Sequence, residues 1–103
     1  MNTRLFNNQV AIITGAGQGI GFEIAKQLAA QGAGVILNDA YSDLATEAAK
    51  NIRTIGGECI AFAGDASQPE IIEGMVEEAV RCFGKLTITV ANAGITLFGD
   101  FFD

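Results

Sequence analysis

Short apolar segments alternate with amphipathic segments along the chain, and this alternation narrows the folds that the chain can adopt. The apolar segments have the length and the β-branched residues of buried strands; they are residues 10–14, 35–37, 59–63 and 86–91. The stretches between them carry apolar residues at helical spacing and end at Gly32, Gly56 and Gly84. Strands joined by helices form a parallel sheet, because each crossover between parallel strands needs a helix.

This order of elements predicts an α/β fold of the Rossmann type. We expect an incomplete doubly wound parallel sheet of about four strands in the spatial order 3-2-1-4, with three helices. Ser42 is predicted to cap the second helix, and Ser67 and Glu70 have the spacing of a capping box before the third, with Pro69 in its first turn. The apolar residues predicted to lie on the buried faces of the three helices include Ile20, Ile55 and Val80.

The turn after the first strand is rich in glycine, and residues 14–21 read T-G-A-G-Q-G-I-G. Glycines at a strand-to-helix turn let the backbone approach a pyrophosphate closely, and the start of the helix offers unpaired N–H groups. The residues predicted to bind a pyrophosphate here are Gly15, Gln18, Gly19, Ile20 and Gly21. A tight packing turn without a ligand is the alternative, whereas a P-loop is excluded because no G-K-[ST] follows.

Asp39 ends the second strand, about 20 residues after the glycine-rich turn. A carboxylate at this position accepts hydrogen bonds from the hydroxyls of an adenosine ribose. Its charge repels the 2′-phosphate of NADP, and residues 40–43 contain no Lys or Arg to offset it. NAD is therefore predicted in preference to NADP. Two alternatives stay open: an ordinary loop aspartate, or a site for another adenosine ligand such as S-adenosylmethionine.

Two further polar segments follow the third and fourth strands. Asp65 and Ala66 come after the third strand, and the triplet Asn92, Ala93 and Gly94 comes after the fourth. Taken alone, the first segment also fits a plain turn, and the asparagine also fits a purely structural role between strands. Together with T-G-x-x-x-G-x-G and the aspartate of the second strand, these segments resemble the short-chain dehydrogenase/reductase family over essentially the whole chain.

The resemblance implies an NAD-dependent oxidoreductase that interconverts an alcohol and a carbonyl by hydride transfer, usually as a dimer or tetramer. It implies that Asp65 and Ala66 border the adenine and that residues 92–94 line the nicotinamide ribose. Two positions depart from the family pattern, which often has Asn where Ala91 stands and Asp where Thr87 stands. Loss of that aspartate is expected to remove a polar contact near the start of the fourth strand.

The catalytic residues of the family have no counterpart in this chain. The family uses a tyrosine as acid and base, with a lysine four residues later, and both lie beyond the N-A-G triplet. The single tyrosine here is Tyr41, which falls at the adenosine end, and Ala45 stands four residues after it. No catalytic residue is therefore predicted within residues 1–103.

Composition excludes several other classes of protein. The formal net charge is −6 and the chain has no histidine, which argues against nucleic-acid binding and removes the commonest metal ligand. Cys59 and Cys82 form no C-x-x-C motif, and both are predicted to be buried in a reducing cytoplasm. No apolar run approaches the ~18 residues of a membrane span, and the first residues do not resemble a signal peptide.

The last residues raise the question of completeness. Residues 95–103 are too short for a further strand with its crossover helix, so the outer edge of the fourth strand is expected to be bare. We therefore interpret residues 1–103 as the N-terminal part of a single dinucleotide-binding domain whose catalytic part is absent. The alternative is a non-catalytic nucleotide-binding or interaction module that is complete at this length and pairs its open strand with a second chain.

Overall fold

The computed structural model describes residues 5–92 and the backbone of residues 96–98. Strands and helices alternate as predicted up to the fourth strand. The strands are β1 (Val10–Thr14), β2 (Gly34–Asp39), β3 (Glu58–Ala63), β4 (Ile88–Ala91) and β5 (Thr96–Phe98). The helices are α1 (Gly19–Ala30), α2 (Ser42–Thr54) and α3 (Pro69–Phe83). None of these helices is both long enough and apolar enough to cross a membrane.

The sheet has the order β3-β2-β1-β4-β5. The first four strands in that order are parallel, and in the centre of the sheet Ile12 of β1 pairs with Ile36 of β2 on one side and with Thr89 of β4 on the other. The predicted α/β fold with the order 3-2-1-4 is therefore confirmed. The strand order reverses between β1 and β4, which makes their carboxyl ends the place where this kind of sheet binds ligands.

The outer edge of β4 is not bare, so that prediction was wrong. β5 lies antiparallel to it, with Thr96 opposite Ala91 and Phe98 opposite Thr89. The prediction assumed a parallel neighbour, which needs a long crossover. An antiparallel neighbour needs only a short connection, and four residues separate the two strands in the sequence.

Alternate residues of each strand pack on opposite faces of the sheet. Ala11 and Ile13 belong to a core with α1 and α2, whereas Val10 and Ile12 belong to a second core with α3. The first core is rich in alanine, which lets its two helices approach the sheet closely; its alanines include Ala25, Ala29, Ala45, Ala48 and Ala49. Burial of these apolar residues stabilises the sheet, and the glycine-rich turn and Asp39 lie at the carboxyl ends of its strands.

An apolar cavity of about 390 Å³ lies between α3 and the sheet. Its lining includes Ile12, Thr14, Met75, Leu86 and Thr89. The hydroxyl of Thr89 is buried there and has no hydrogen-bond partner within the described part of the chain. This face of the sheet is thus less completely packed than the face under α1 and α2.

The burial of three apolar residues differs from the prediction. Ile20 is 74%, Ile55 64% and Val80 50% exposed. In α1 the buried positions are Gly21, Ala25 and Ala29, at a spacing of four residues, so Ile20 stands beside this row. Ile55 follows the last residue of α2 as its C-cap and therefore no longer shares the buried face of the helix.

The predicted helix caps were also wrong in detail. Ser42 is the first residue of α2, and the N-cap is Tyr41, which makes no side-chain capping bond. The proposed capping box of Ser67 with Glu70 does not form: Gln68 is the N-cap of α3, and the Ser67 hydroxyl donates to Asp65 at 2.8 Å. The helix begins one residue later than the capping box requires, so the Ser67 hydroxyl is not at the position that accepts from the first N–H groups of α3.

The two cysteines differ in exposure. Cys59 lies in β3 and is buried, as predicted, whereas Cys82 is exposed. The prediction for Cys82 was wrong: Cys82 lies in the last turn of α3, beyond Met75 and Ala79, which are the buried residues of this helix. Burial raises the pKa of the Cys59 thiol to about 12, and the nearby charge of Arg53 opposes this increase only partly.

We expect a thiol reagent to distinguish the two cysteines. At about pH 8 the folded protein should react at Cys82 and not at Cys59, because only thiolate reacts and the Cys59 thiol stays protonated and covered. A chromogenic disulfide reagent should therefore release one equivalent of product from the folded chain and two after denaturation. In Cys82→Ser the folded protein should release none; rapid release from that variant would contradict the buried position of Cys59.

Thr87 replaces the aspartate of the family pattern and supplies a polar contact of its own. Its hydroxyl accepts a hydrogen bond from the Val10 N–H at 2.9 Å and donates one to the Val10 carbonyl at 3.1 Å. The expectation that the aspartate's absence removes this contact was therefore wrong. A hydroxyl both donates and accepts, so it can bind both main-chain groups of one residue, which an ionised carboxylate cannot do.

Thr87→Val should lower the free energy of unfolding by roughly 1–3 kcal/mol, because it leaves the Val10 N–H at the start of β1 without its acceptor. Chemical denaturation followed by circular dichroism measures this change. Thr87→Ser is the matched control, since it keeps the hydroxyl and should retain most of the stability. Destabilisation by Thr87→Ser, with little effect of Thr87→Val, would mean that the methyl group, and not the hydroxyl, matters at this position.

Candidate functional site

The predicted binding residues that the structure describes meet at one edge of the sheet. The glycine-rich turn follows β1, Asp39 ends β2, Asp65 and Ala66 follow β3, and Asn92 follows β4. Because these four strands are parallel, all of these residues lie at carboxyl ends of strands. Ala93 and Gly94, also predicted to bind the cofactor, lie outside the described residues.

The glycine-rich turn needs glycine for two different reasons. Gly15 and Gly19 have φ angles of 61° and 69°, in the left-handed region that other residues rarely adopt. Gly21 has an ordinary φ, but a Cβ on it would lie 2.7 Å from the Gly15 carbonyl oxygen and 3.0 Å from the Asn92 side-chain nitrogen. The first pair therefore shapes the turn, and Gly21 lets α1 pack directly against it.

Within the described residues, the start of α1 has neither a side-chain capping bond from its N-cap residue Gln18 nor an acidic residue in its first turn. The first N–H groups of a helix have no partner within the helix, and its dipole places partial positive charge there. Gln18 and Ile20 are both exposed beside these groups, so this end of α1 is accessible to an anion such as a pyrophosphate.

Asn92 connects β4 to the glycine-rich turn. Its side-chain N–H donates to the Gly15 carbonyl at 3.0 Å, and its main-chain N–H donates to the Thr14 hydroxyl at 3.2 Å. This arrangement matches the structural role considered for it from the sequence. Asn92 holds Gly15 in position, and this bond uses one of its two side-chain N–H donors.

Asp39 is 8% exposed and directs its carboxylate at the glycine-rich turn. One oxygen, Oδ2, accepts a hydrogen bond from the Gly17 N–H at 2.9 Å, and Oδ1 accepts one from the Tyr41 N–H at 3.0 Å. In the described part of the chain no Lys or Arg forms an ion pair with it. An ionised carboxylate has about four acceptor positions, so each oxygen keeps capacity for one further donor.

Main-chain bonds fix the position of Asp39 as well. The Gly64 N–H donates to its carbonyl at 3.0 Å, and the Ala16 N–H donates to the carbonyl of the preceding Asn38 at 2.7 Å. The buried Asn38 side chain donates to the carbonyls of Phe62 and Gly64. The ends of β1, β2 and β3 are therefore bonded together around the carboxylate, an arrangement that pre-organises it for binding.

Asp65 acts within its own turn. Its Oδ1 accepts hydrogen bonds from the main-chain N–H and the hydroxyl of Ser67, at 2.9 and 2.8 Å. These bonds, the main-chain one foremost, lower the pKa of the Asp65 carboxyl, which is fully exposed. Oδ1 therefore has the role expected of a residue in a plain turn, whereas Oδ2 takes part in neither of these bonds. Ala66 is half-buried and lines the cavity under α3.

Several residues of this region were not singled out from the sequence. Gly17 occupies a variable position of the T-G-x-x-x-G-x-G pattern, and yet its N–H binds the Asp39 carboxylate. Thr14 is buried and accepts from Asn92. Asn38, next to last in the buried strand β2, was a detectable signal, because a buried amide must find hydrogen-bond partners. The described residues contain no cluster of His, Cys, Asp and Glu that could hold a metal ion.

Known proteins of similar sequence and structure were found over most of the chain. The family model for short chain dehydrogenases matches residues 9–103. Cyclohexanol dehydrogenase of Acinetobacter sp. (strain SE19) is 42% identical over 90 residues, which cover 87% of this chain and 36% of that protein. Versicolorin reductase 1 of Aspergillus parasiticus is 42% identical over 99 residues, which cover 95% of this chain and 37% of that protein.

Solved structures give the same result. A hydroxysteroid dehydrogenase from Escherichia coli superposes with a TM-score of 0.81 at 34% identity, over 85% of this chain and 37% of that one. A short-chain type dehydrogenase/reductase from Mycobacterium marinum gives a TM-score of 0.78 at 30% identity, over 86% and 35%. The chain thus spans little more than a third of the length of these relatives. It belongs to the short-chain dehydrogenase family.

Proposed function

We propose that this chain is the NAD-binding portion of an oxidoreductase that interconverts an alcohol and a carbonyl by hydride transfer. The observation that carries this proposal is the Asp39 carboxylate, buried at the end of β2 and held facing the glycine-rich turn. That pairing of an anion-accepting turn with a hydroxyl-accepting carboxylate fits a ligand that contains both a pyrophosphate and a ribose.

The described residues fit a dinucleotide. A Cβ on Gly19 would meet nothing within 4 Å, so the turn leaves space beside an accessible helix start, and Gly21 keeps that start close to the turn. We propose that Gly15, Gln18, Gly19, Ile20 and Gly21 bind the pyrophosphate. Asp39 binds the adenosine ribose, and Asp65 and Ala66 border the adenine. The side of the site that faces the nicotinamide ribose is lined by Asn92, Ala93 and Gly94. When bound, the nicotinamide supplies or accepts the hydride.

Asp39 also supports a preference for NAD over NADP. A phosphate on the ribose 2′-oxygen would bring negative charge against a buried carboxylate, and like charges in contact are strongly unfavourable in a partly desolvated site. Residues 40–43 add a further acidic residue, Asp43, in the first turn of α2 and no base. The whole chain contains 12 acidic and 6 basic residues, a balance that does not favour an additional phosphate.

Proton transfer is not assigned to any residue of this chain. Tyr41 is 70% exposed beside the ribose-binding aspartate, and Ala45, four residues later, is buried and has no titratable group. We propose that residues 1–103 bind the cofactor and that an acid–base pair outside them completes catalysis. For the whole protein we propose a small-molecule alcohol or carbonyl substrate, a homo-oligomeric state and a cytoplasmic location. The names of relatives that act on cyclohexanol or a hydroxysteroid support this substrate class.

Calorimetric titration tests the proposed ligand. The protein should bind NAD more tightly than NADP by at least about tenfold, and S-adenosylmethionine should not displace NAD. NAD at 100 times its dissociation constant should add ~2.7 kcal/mol to the stability of the folded state, seen as a higher melting temperature. Tighter binding of S-adenosylmethionine or of NADP would contradict the proposal.

A further inference from the structure

We propose that Gly17 is a positioning residue for Asp39 and thereby sets the discrimination between NAD and NADP; this inference rests on the proposed NAD binding. Gly17 stands at a variable position of the T-G-x-x-x-G-x-G pattern. Its main-chain N–H donates to Asp39 Oδ2 at 2.9 Å across 22 residues of sequence. The turn therefore contacts the ribose-binding carboxylate directly.

Backbone conformation does not explain the glycine. Gly17 is not among the residues with positive φ, unlike Gly15 and Gly19 on either side of it. Other residues could adopt its conformation without strain. The reason for glycine must therefore lie in the space around the missing Cβ.

That space is occupied by the carboxylate and by α2. A Cβ on Gly17 would lie 2.7 Å from Asp39 Oδ2, 2.9 Å from Asp39 Cγ and 2.7 Å from Leu44 Cβ. The Leu44 Cβ is fixed to the backbone of α2 and cannot rotate away. Rotation of the Asp39 side chain relieves only the contact with the carboxylate, so a side chain at position 17 must also move the turn away from α2. Both movements separate the carboxylate from the residue-17 N–H.

The direction of the carboxylate determines what it can bind. With Oδ2 held by Gly17 and Oδ1 held by Tyr41, each oxygen has one remaining acceptor position, which suits the two adjacent hydroxyls of a ribose. The same fixed charge lies where a 2′-phosphate would come. A displaced carboxylate loses hydroxyl contacts and also repels the phosphate less, so both changes reduce the preference for NAD.

The test is Gly17→Ala, with dissociation constants measured for NAD and NADP. The ratio of the two affinities should move toward one by about tenfold, mainly through weaker NAD binding. Gly57→Ala is the matched control, because its Cβ would lie 2.7 Å from Ile52 Cγ2 and 2.9 Å from Ala29 Cβ, far from the nucleotide. It should lower stability and leave the affinity ratio unchanged. An unchanged ratio in folded Gly17→Ala would overturn the proposal.

Asp39→Ala provides a second arm. If Gly17 acts through Asp39, Gly17→Ala should change the ratio little when Asp39 is already alanine. An equal change in both backgrounds would mean that Gly17 contacts the cofactor itself, and the positioning role would be wrong.

Failure of the wild-type protein to bind any nucleotide would contradict the proposed function. The position of Asp39 can still be tested in that case, by a crystal structure of Gly17→Ala without ligand. The positioning role expects Asp39 Oδ2 to leave hydrogen-bond distance of the residue-17 nitrogen. A carboxylate that stays in place beside the added methyl group would overturn it.

Discussion

Asp39→Ala is expected to weaken NAD binding by roughly tenfold to a hundredfold and to leave NADP binding similar or slightly stronger. Hydrogen bonds to a charged group contribute about 1.5–3 kcal/mol, and the substitution removes those to the ribose hydroxyls. It also removes the repulsion of a 2′-phosphate, so the two effects act in the same direction on the affinity ratio. Titration of the variant with both nucleotides measures the ratio directly.

Asp39→Asn separates charge from hydrogen bonding. The amide oxygen can still accept from the Gly17 N–H, and the amide can still bond a ribose hydroxyl, but the negative charge is gone. NAD affinity should fall less than in Asp39→Ala, whereas the preference for NAD should fall by a similar factor. If the preference for NAD survives in both variants, the charge of Asp39 is not its source.

Gly21→Ala is expected to abolish most NAD binding and to destabilise the chain by roughly 1–3 kcal/mol, the usual effect of overfilling a close-packed contact. The added Cβ would lie 2.7 Å from the Gly15 carbonyl oxygen and 3.0 Å from Ala16 Cα, both of them backbone atoms. The turn must therefore move away from α1, and the N–H groups that bind the pyrophosphate move with it. Thermal unfolding and NAD titration measure the two effects.

Gly56→Ala is the control for this prediction. Gly56 has a φ angle of 96° and empty space around the position of a Cβ, so alanine there adds backbone strain of about 1–2 kcal/mol without a steric contact. It lies between α2 and β3, at the amino ends of the strands, whereas the glycine-rich turn lies at their carboxyl ends. Stability should fall while NAD affinity stays at the wild-type value. Wild-type NAD affinity in Gly21→Ala would contradict the placement of the pyrophosphate at this turn.

Much of the fold follows from local pattern. β1 spans Val10–Thr14 as predicted, because a short apolar run between polar residues and glycine is typical of a buried strand. α3 begins at Pro69 and ends before Gly84 in the left-handed conformation, as the residues at its two ends indicate. Strand order was also predictable, since right-handed crossovers leave few arrangements of alternating strands and helices.

The buried faces of the helices were harder to predict. In α1 the sequence pattern indicated Ala25 and Ala29 together with the isoleucine and leucine positions, and the fully buried row is Gly21, Ala25 and Ala29. Small residues allow the closest approach of a helix to a sheet. The large residues beside them are then partly exposed, as Ile20 is.

The geometry of the candidate site depended on contacts between distant segments. Asp39 was predictable as the end of a strand, but its bond to Gly17 spans 22 residues and depends on how two strand ends meet. The bonds of Thr87 to Val10 and of Asn92 to Gly15 each span 77 residues. A residue pattern identifies which groups are present at the sheet edge, whereas tertiary packing decides which of their donors and acceptors are already used.

A crystal structure of the protein with NAD shows whether Asp39 binds the adenosine ribose. Both hydroxyls of that ribose should lie within hydrogen-bond distance of Asp39, on oxygens that still bind Gly17 and Tyr41. The pyrophosphate should lie against the N–H groups between Gly15 and Gly21. An adenosine bound elsewhere, for example in the apolar cavity under α3, with no contact to Asp39, would contradict the account.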